Sequence, residues 1–168
     1  MLYFAYGSNM SITRLQARIS SAQPVGIYTL SKHSLMFHKI GRDSSGKCNA
    51  YFTNNQTDSV IGLGFDIAPQ DKALLDAIEG VGNGYDVDLV QITSVAGQSE
   101  SAFTYIATHI DDSLNPYTWY KEHVLRGARL AELPYAYIAQ IEAIAAITDL
   151  NREREQLELS IYSGPARP

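Results

Sequence analysis

The sequence predicts an α+β fold: a small mixed, mostly antiparallel β-barrel or curled sheet with helices packed around it. Three observations predict it. Most strand-like runs come before a pair of helical patterns at about 117–131 and 135–148. Strands and helices do not alternate strictly, as a parallel α/β sheet would require. The runs 85–95 and 100–107 flank the short turn Ala96-Gly97-Gln98-Ser99 and read as a hairpin. The 168 residues contain no internal repeat and no linker, so one domain is expected over 1–150, followed by a charged tail at 151–168.

In chain order, residues 2–6 form a strand of apolar and aromatic residues. The chain breaks at Gly7-Ser8-Asn9 and enters a helix over 11–19, with Ser11 as N-cap and Ile12, Leu15 and Ile19 on one stripe. Pro24 and Gly26 mark a bend. Strand-like stretches follow around Ile27 to Leu30 and Leu35 to Ile40, with Lys32-His33 between them. Gly41 to Lys47 is a loop, exposed by composition. Residues 48–53 are a strand that ends in the turn-rich segment 54–58. In the buried strand 59–67, Gly62 and Gly64 share a face and admit a close backbone. Pro69 starts a helix whose Ala73, Leu74, Leu75 and Ile78 are expected to face the core, and Gly80 stops it. After the Gly82-Asn83-Gly84 loop, Tyr85, Val87 and Leu89 alternate with Asp86, Asp88 and Val90. A polar loop, 109–116, leads to the two late helices. The first is expected to bury Tyr117, Tyr120, Val124 and Ala128. The second, started by Pro134, is expected to bury Ile138, Ile141, Ala145 and Thr148 or Ile144. The tail from Asn151 reads as a solvated segment or loosely packed strand ending in Gly164-Pro165.

Composition narrows the function. Net charge is -5 and the pI is about 5.3, which argues against nucleic acid as the main partner. No apolar run approaches the ~20 residues needed to cross a bilayer, so no membrane association is expected. The opening residues lack the basic region and long apolar run of a signal peptide. A single cysteine, Cys48, excludes an internal disulfide framework and fits a reducing, cytoplasmic setting. Eleven tyrosines are an excess, and each offers an apolar body with a polar tip to a pocket, an interface or a core.

Two stretches carry candidate chemistry. The strand-turn-helix at Tyr6-Gly7-Ser8-Asn9 aims unpaired backbone N–H groups at a potential anion, although the same residues also make ordinary turns. Glu79 sits between apolar or small neighbours at the C-terminal end of a helix. Both features are expected to raise its pKa and suit it to general acid/base work, unless it simply reaches solvent. Tyr85 follows closely and either points its hydroxyl into the same pocket or faces the core. His33, His38, His109 and His123 show no metal-ligand spacing, so no metal is expected. Cys48 has no local feature of a nucleophile. Gly62-Leu63-Gly64 lies inside a strand, and Gly80-Val81-Gly82-Asn83-Gly84 precedes a strand, so neither cradles a dinucleotide. No cofactor is expected.

These residues also carry a resemblance. Tyr3-Phe4-Ala5-Tyr6-Gly7-Ser8-Asn9-Met10, with Arg14-Leu15 beyond it, resembles the N-terminal signature of the γ-glutamylcyclotransferase family. Leu75-Asp76-Ala77-Ile78-Glu79-Gly80-Val81 resembles the segment with that family's catalytic glutamate. Tyr85 stands where the family places an aromatic residue near the substrate, and Tyr120-Lys121, Gly127-Ala128 and Leu133-Pro134-Tyr135 resemble its late helical region. The resemblance implies a γ-glutamylcyclotransferase-like fold and a substrate whose α-amine attacks its own γ-carbonyl, giving 5-oxoproline and a free amino acid or amine. It implies Glu79 as acid/base and Tyr6, Gly7, Ser8, Asn9 and Tyr85 around the substrate. Ser8-Asn9 fits the general γ-glutamyl amino acid branch, and leaving-group specificity is expected in loops such as 41–47 and 109–116. Two alternatives share the scaffold: a non-catalytic γ-glutamyl or anion-binding module, and an enzyme acting on a modified γ-glutamyl amine. The tyrosine-rich late helices suit a homodimer face, and the family includes dimers, but a core explains them equally.

Overall fold

The computed structural model describes residues 1–163; the Gly164-Pro165 end of the tail lies outside them. The elements run β1 (Leu2–Ala5), α1 (Ile12–Arg18), β2 (Gln23–Ser31), β3 (His33–Ile40), β4 (Gly46–Phe52), β5 (Ser59–Asp66), α2 (Lys72–Glu79), β6 (Tyr85–Ser94), β7 (Ser99–Ala107), α3 (Thr118–Leu130), α4 (Tyr135–Ala143) and α5 (Arg152–Ser160). Five strands close into a barrel in the order β1-β5-β2-β6-β7, and β3-β4 form a separate two-stranded ribbon. One parallel pairing, Tyr3 opposite Phe103, joins β1 to β7, and the other pairings are antiparallel. The barrel is thus mixed and mostly antiparallel, and the 85–107 hairpin forms as expected.

The barrel is filled by alternate residues of its strands: Phe4, Leu30, Val60, Ile92, Ala102 and Thr104 are buried. Gly62 supplies the close approach expected of it. A Cβ there would lie 2.3 Å from the Ala5 carbonyl oxygen and 2.9 Å from the Phe4 ring. Gly127 on α3 works the same way on the outside, where a Cβ would meet the Met10–Ser11 backbone at 2.5 Å. This contact seats α3 directly against the turn that leaves β1.

Several expectations need correction. Pro24 and Gly26 do not end a segment: they lie in β2, where the register with β5 shifts, so the irregularity is a bulge. The 41–47 loop is polar but not exposed throughout. Gly41, Ser45 and Gly46 are buried, and the Asp43 carboxylate accepts from Ser45 N, Ser45 Oγ and Lys47 Nζ. Polar groups that satisfy one another need no water. On α2 only Leu75 is buried, and Leu74 is 51% exposed. On β6, Val90 and Ile92 face the barrel, while Leu89 is 74% exposed. Alternation shows that a strand has two faces but not which one meets the core. α4 stops at Ala143 and leaves Ala145 and Thr148 exposed. Ile147 beyond it bridges to Tyr117 at the head of α3, which is only half-buried.

The tail is a helix. The Asn151 side chain caps it by accepting from Arg154 N at 3.0 Å. It docks through Arg14 Nη1 to Glu158 Oε2 at 2.6 Å and through Tyr162 Oη, which donates to Ser11 Oγ at 2.9 Å. Its partners are Arg14 of α1, the Ser11 cap and His123 of α3, at sequence separations from 39 to 151, so nothing local in the tail announces the docking. Among the described residues, no helix is long and apolar enough to cross a membrane.

Candidate active site

The exit from β1 makes one wall. After Ala5 the chain passes Tyr6 and Gly7 and coils through a single 3-10 turn at Ser8–Met10, and Ser11 then caps α1 by accepting from Arg14 N. Met10 N and Ser11 N close this turn onto Gly7 O and Ser8 O. The N–H groups of Gly7, Ser8 and Asn9 have no hydrogen-bond partner among the described residues, as the first amides of a turn or helix do. Gly7 has an ordinary negative φ, so its constraint is space: a Cβ would stand 2.9 Å from Cys48 Cβ.

Glu79 arrives from the opposite side as the last residue of α2, which Gly80 ends in the left-handed conformation. Its Oε1 accepts from Asn9 Nδ2 at 3.0 Å and from Arg18 Nη1 at 2.9 Å. Arg18 Nη1 also donates to Asn9 Oδ1 at 2.9 Å, closing a triangle. Glu79 Oε2 carries no hydrogen bond among the described residues, so one oxygen is fixed and the other is free for a ligand. Local sequence suggests a carboxylate among apolar neighbours, whereas the fold gives it an amide and a guanidinium from α1 and the turn before it.

All six predicted residues, Tyr6, Gly7, Ser8, Asn9, Glu79 and Tyr85, line one pocket. Tyr3, Tyr105, Tyr120 and Cys48 complete it. Five of the eleven tyrosines therefore converge here. Their hydroxyls are tied back: Tyr6 to Tyr105 O, Tyr85 to Cys48 O at 2.6 Å, and Tyr105 to Asp76 Oδ1 at 2.7 Å. Tyr3 accepts from Asn9 Nδ2 at 3.0 Å, and Tyr120 Oη accepts from Cys48 N at 3.0 Å. Burial, first among the causes, raises the pKa of all five, so they stay neutral hydroxyls. Burial also pushes the Cys48 thiol up to about 12, leaving it protonated and unsuited to nucleophilic attack at neutral pH.

Arg18 was not singled out in the sequence, yet a signal for it exists. Arg14 and Arg18 are four residues apart and so share one face of a helix that follows directly on the turn. Arg18 is mostly buried; burial, then the neighbouring Arg14 charge, lowers its pKa from the usual range while Glu79 opposes the shift. Beyond the tyrosine pocket, a wider cleft shares Ser8, Glu79, Tyr85 and Tyr120 with it and opens between α1, β3 and α5.

Residues 59–141 match the model of the AIG2-like family. Over 167 residues the chain is 29% identical to the γ-glutamylcyclotransferase of Homo sapiens, covering 97% of this chain and 88% of that protein. The Bos taurus γ-glutamylcyclotransferase is 28% identical over 170 residues, 99% of this chain and 90% of its own length. A solved γ-glutamyl cyclotransferase superposes with a TM-score of 0.87 at 26% identity, covering 98% of this chain and 99% of the other. The chain is γ-glutamylcyclotransferase-like. Barrel, turn and α2 belong to this γ-glutamylcyclotransferase-like fold as one unit, because the match spans nearly the whole length of both chains.

Proposed function

We propose that the protein cyclises the γ-glutamyl group of a γ-glutamyl amino acid or amine to 5-oxoproline, with Glu79 as general acid/base. One observation carries this: Glu79, whose Oε2 has no hydrogen bond among the described residues, lines one pocket with the Gly7–Asn9 turn, whose three amides are unpaired among those residues, and with neutral hydroxyls. The substrate supplies both nucleophile and electrophile, so no serine or cysteine attack is needed, and holding it folded is a large share of the work. The Gly7–Asn9 amides receive the α-carboxylate or the developing oxyanion. Glu79 Oε2 takes a proton from the α-ammonium. The freed amine attacks the γ-carbonyl carbon, the new C–N bond closes the ring, and the old C–N bond breaks. Two protons leave the α-nitrogen and two arrive on the leaving nitrogen, so the reaction is proton-neutral and a single carboxylate can carry both transfers. Arg18 and Asn9 hold Oε1 and so set the direction of Oε2.

The test is incubation with γ-glutamyl dipeptides, γ-glutamyl amines and glutathione, assayed for 5-oxoproline, with Glu79→Gln beside the parent protein. Release by the parent and not by the variant is expected. Binding without release by the parent would instead make the protein a γ-glutamyl-binding module.

A further inference from the structure

The wider cleft holds more positive charge than its surroundings explain. Five cations line it: Arg14, Arg18, Lys39, Arg42 and Lys47. Three carboxylates line it too, and each is already matched, Glu158 to Arg14 at 2.6 Å, Glu79 to Arg18 at 2.9 Å and Asp43 to Lys47 at 2.7 Å. Lys39 and Arg42 are left over, with no ion-pair or hydrogen-bond partner for their side chains among the described residues. The whole chain is acidic, with a net charge of -5, so this local excess is not a general property of the surface.

Lys39 is the stronger observation. The residue is 7% exposed. Its Nζ lies 4.7 Å from the centroid of the Tyr85 ring, and a Cβ on Gly84 would come within 2.9 Å of it, so the ammonium is held at the lip of the tyrosine pocket. A buried ammonium without an anion is costly, and burial lowers its pKa, with Glu79 acting the other way. Arg42, from the 41–47 loop, is exposed and rests its guanidinium over Gly80 at the C-terminal end of α2.

We propose that Lys39 and Arg42 form a subsite for carboxylates on the leaving amine, so that the protein favours γ-glutamyl amides of a dicarboxylic amino acid over those of a monocarboxylic one, and both over a plain amine. The proposal rests on the cyclisation reading. With the substrate α-carboxylate on the turn amides of the tyrosine pocket, Lys39 and Arg42, which line only the outer cleft beyond Glu79, are on the side left for the departing amine. Two unpaired cations match two carboxylates. Of the loops expected to set leaving-group preference, 41–47 lines this cleft and 109–116 does not.

The test compares γ-glutamylglutamate, γ-glutamylalanine and γ-glutamylmethylamide, which carry two, one and no carboxylates on the leaving side. In the parent protein kcat/KM is expected to fall in that order. Lys39→Met should cost γ-glutamylglutamate roughly 10- to 100-fold, as loss of a buried charged hydrogen bond does, mainly through KM. γ-Glutamylmethylamide should lose under about 3-fold. Lys39→Arg should recover most of the difference, and Arg42→Gln should erase the advantage of the second carboxylate. Equal loss on all three substrates in a folded Lys39→Met protein, or a parent that treats them alike, overturns the proposal. Calorimetric titration of Glu79→Gln with the same three compounds separates the two claims. If the parent forms no 5-oxoproline, the reaction falls, while the same order of Kd still supports the subsite and equal Kd values sink it.

Discussion

The tyrosine pocket and the outer cleft share Glu79 and Tyr85 yet are built on opposite electrostatic plans. Inside, the donors are neutral: three backbone amides, and the phenols of Tyr3 and Tyr120, which burial keeps protonated and which only accept from Asn9 and Cys48. Outside, the groups are charged, and most are already committed to ion pairs. Neutral donors can follow charge as it develops on a reacting carbonyl without holding the ground state too tightly. Fixed charges recognise groups that do not change during the reaction. Glu79 belongs to both regions, with Oε1 anchored to a cation and Oε2 without a hydrogen bond among the described residues.

Breaking this arrangement at its shared residue should have the largest effect. Glu79→Gln is expected to lower 5-oxoproline release by about 10²- to 10⁴-fold, the range for removing a general acid/base. It should also lower the melting temperature, since Arg18 loses its carboxylate. Near-parental release would remove Glu79 from the mechanism. Next comes Gly7→Val on the inner side. Its side chain must displace Cys48, at a stability cost of about 1–3 kcal/mol, and cover the turn amides. Apparent affinity should drop at least tenfold, and unchanged affinity would show that the turn is not the anion cradle. Tyr85→Phe is milder. It leaves the Cys48 carbonyl without its 2.6 Å donor, which costs about 1 kcal/mol of stability, and should reduce kcat by less than Glu79→Gln does.

The last test leaves turnover aside and probes the outer side through stability against pH. The His123 ring at 3.4 Å, then Arg14, hold the Glu158 carboxyl down to about 2, against 4.5 for the free group. A depressed carboxyl pKa stabilises the fold fully above about 4.5, and this contribution is lost as pH falls towards 2. His123 is lowered by burial first, so it is stabilising when neutral and loses that contribution as pH falls below 6.5. Both act in one direction: acidification should loosen α5 from α1. Melting temperature against pH should fall less steeply below about 4.5 in Glu158→Gln than in the parent, a difference of at most about 3 kcal/mol.

How much of this was legible depends on how far each interaction reaches. The turn at Gly7-Ser8-Asn9, the Ser11 cap, the Gly80 stop, the 85–107 hairpin and the position of Glu79 at a helix end are local, and local composition announces them. The resemblance joined the turn to Glu79, and the structure places them within 3.0 Å through Asn9. Sequence pattern places too many residues of α2 in the core and leaves the inward face of β6 open, because apolar residues occur on both sides of each. Burial there is decided by what packs against them: α2 lies against the barrel through Leu75 alone among its fully buried residues, and Tyr85 of β6 lies under Lys39 of the ribbon.

Sequence alone determined the α+β class, the strand-turn-helix, the helix-terminal carboxylate and the acidic balance of the chain, since each follows from neighbouring residues or from totals. Tertiary structure decided the rest. It closed β1 onto β7, brought Arg18 to Glu79 across 61 residues, folded the tail into a helix against α1, and left Lys39 and Arg42 without partners among the described residues in an otherwise paired cleft. Ion pairs, pocket walls and unmatched charges depend on distances in space, and a one-dimensional pattern does not carry those distances.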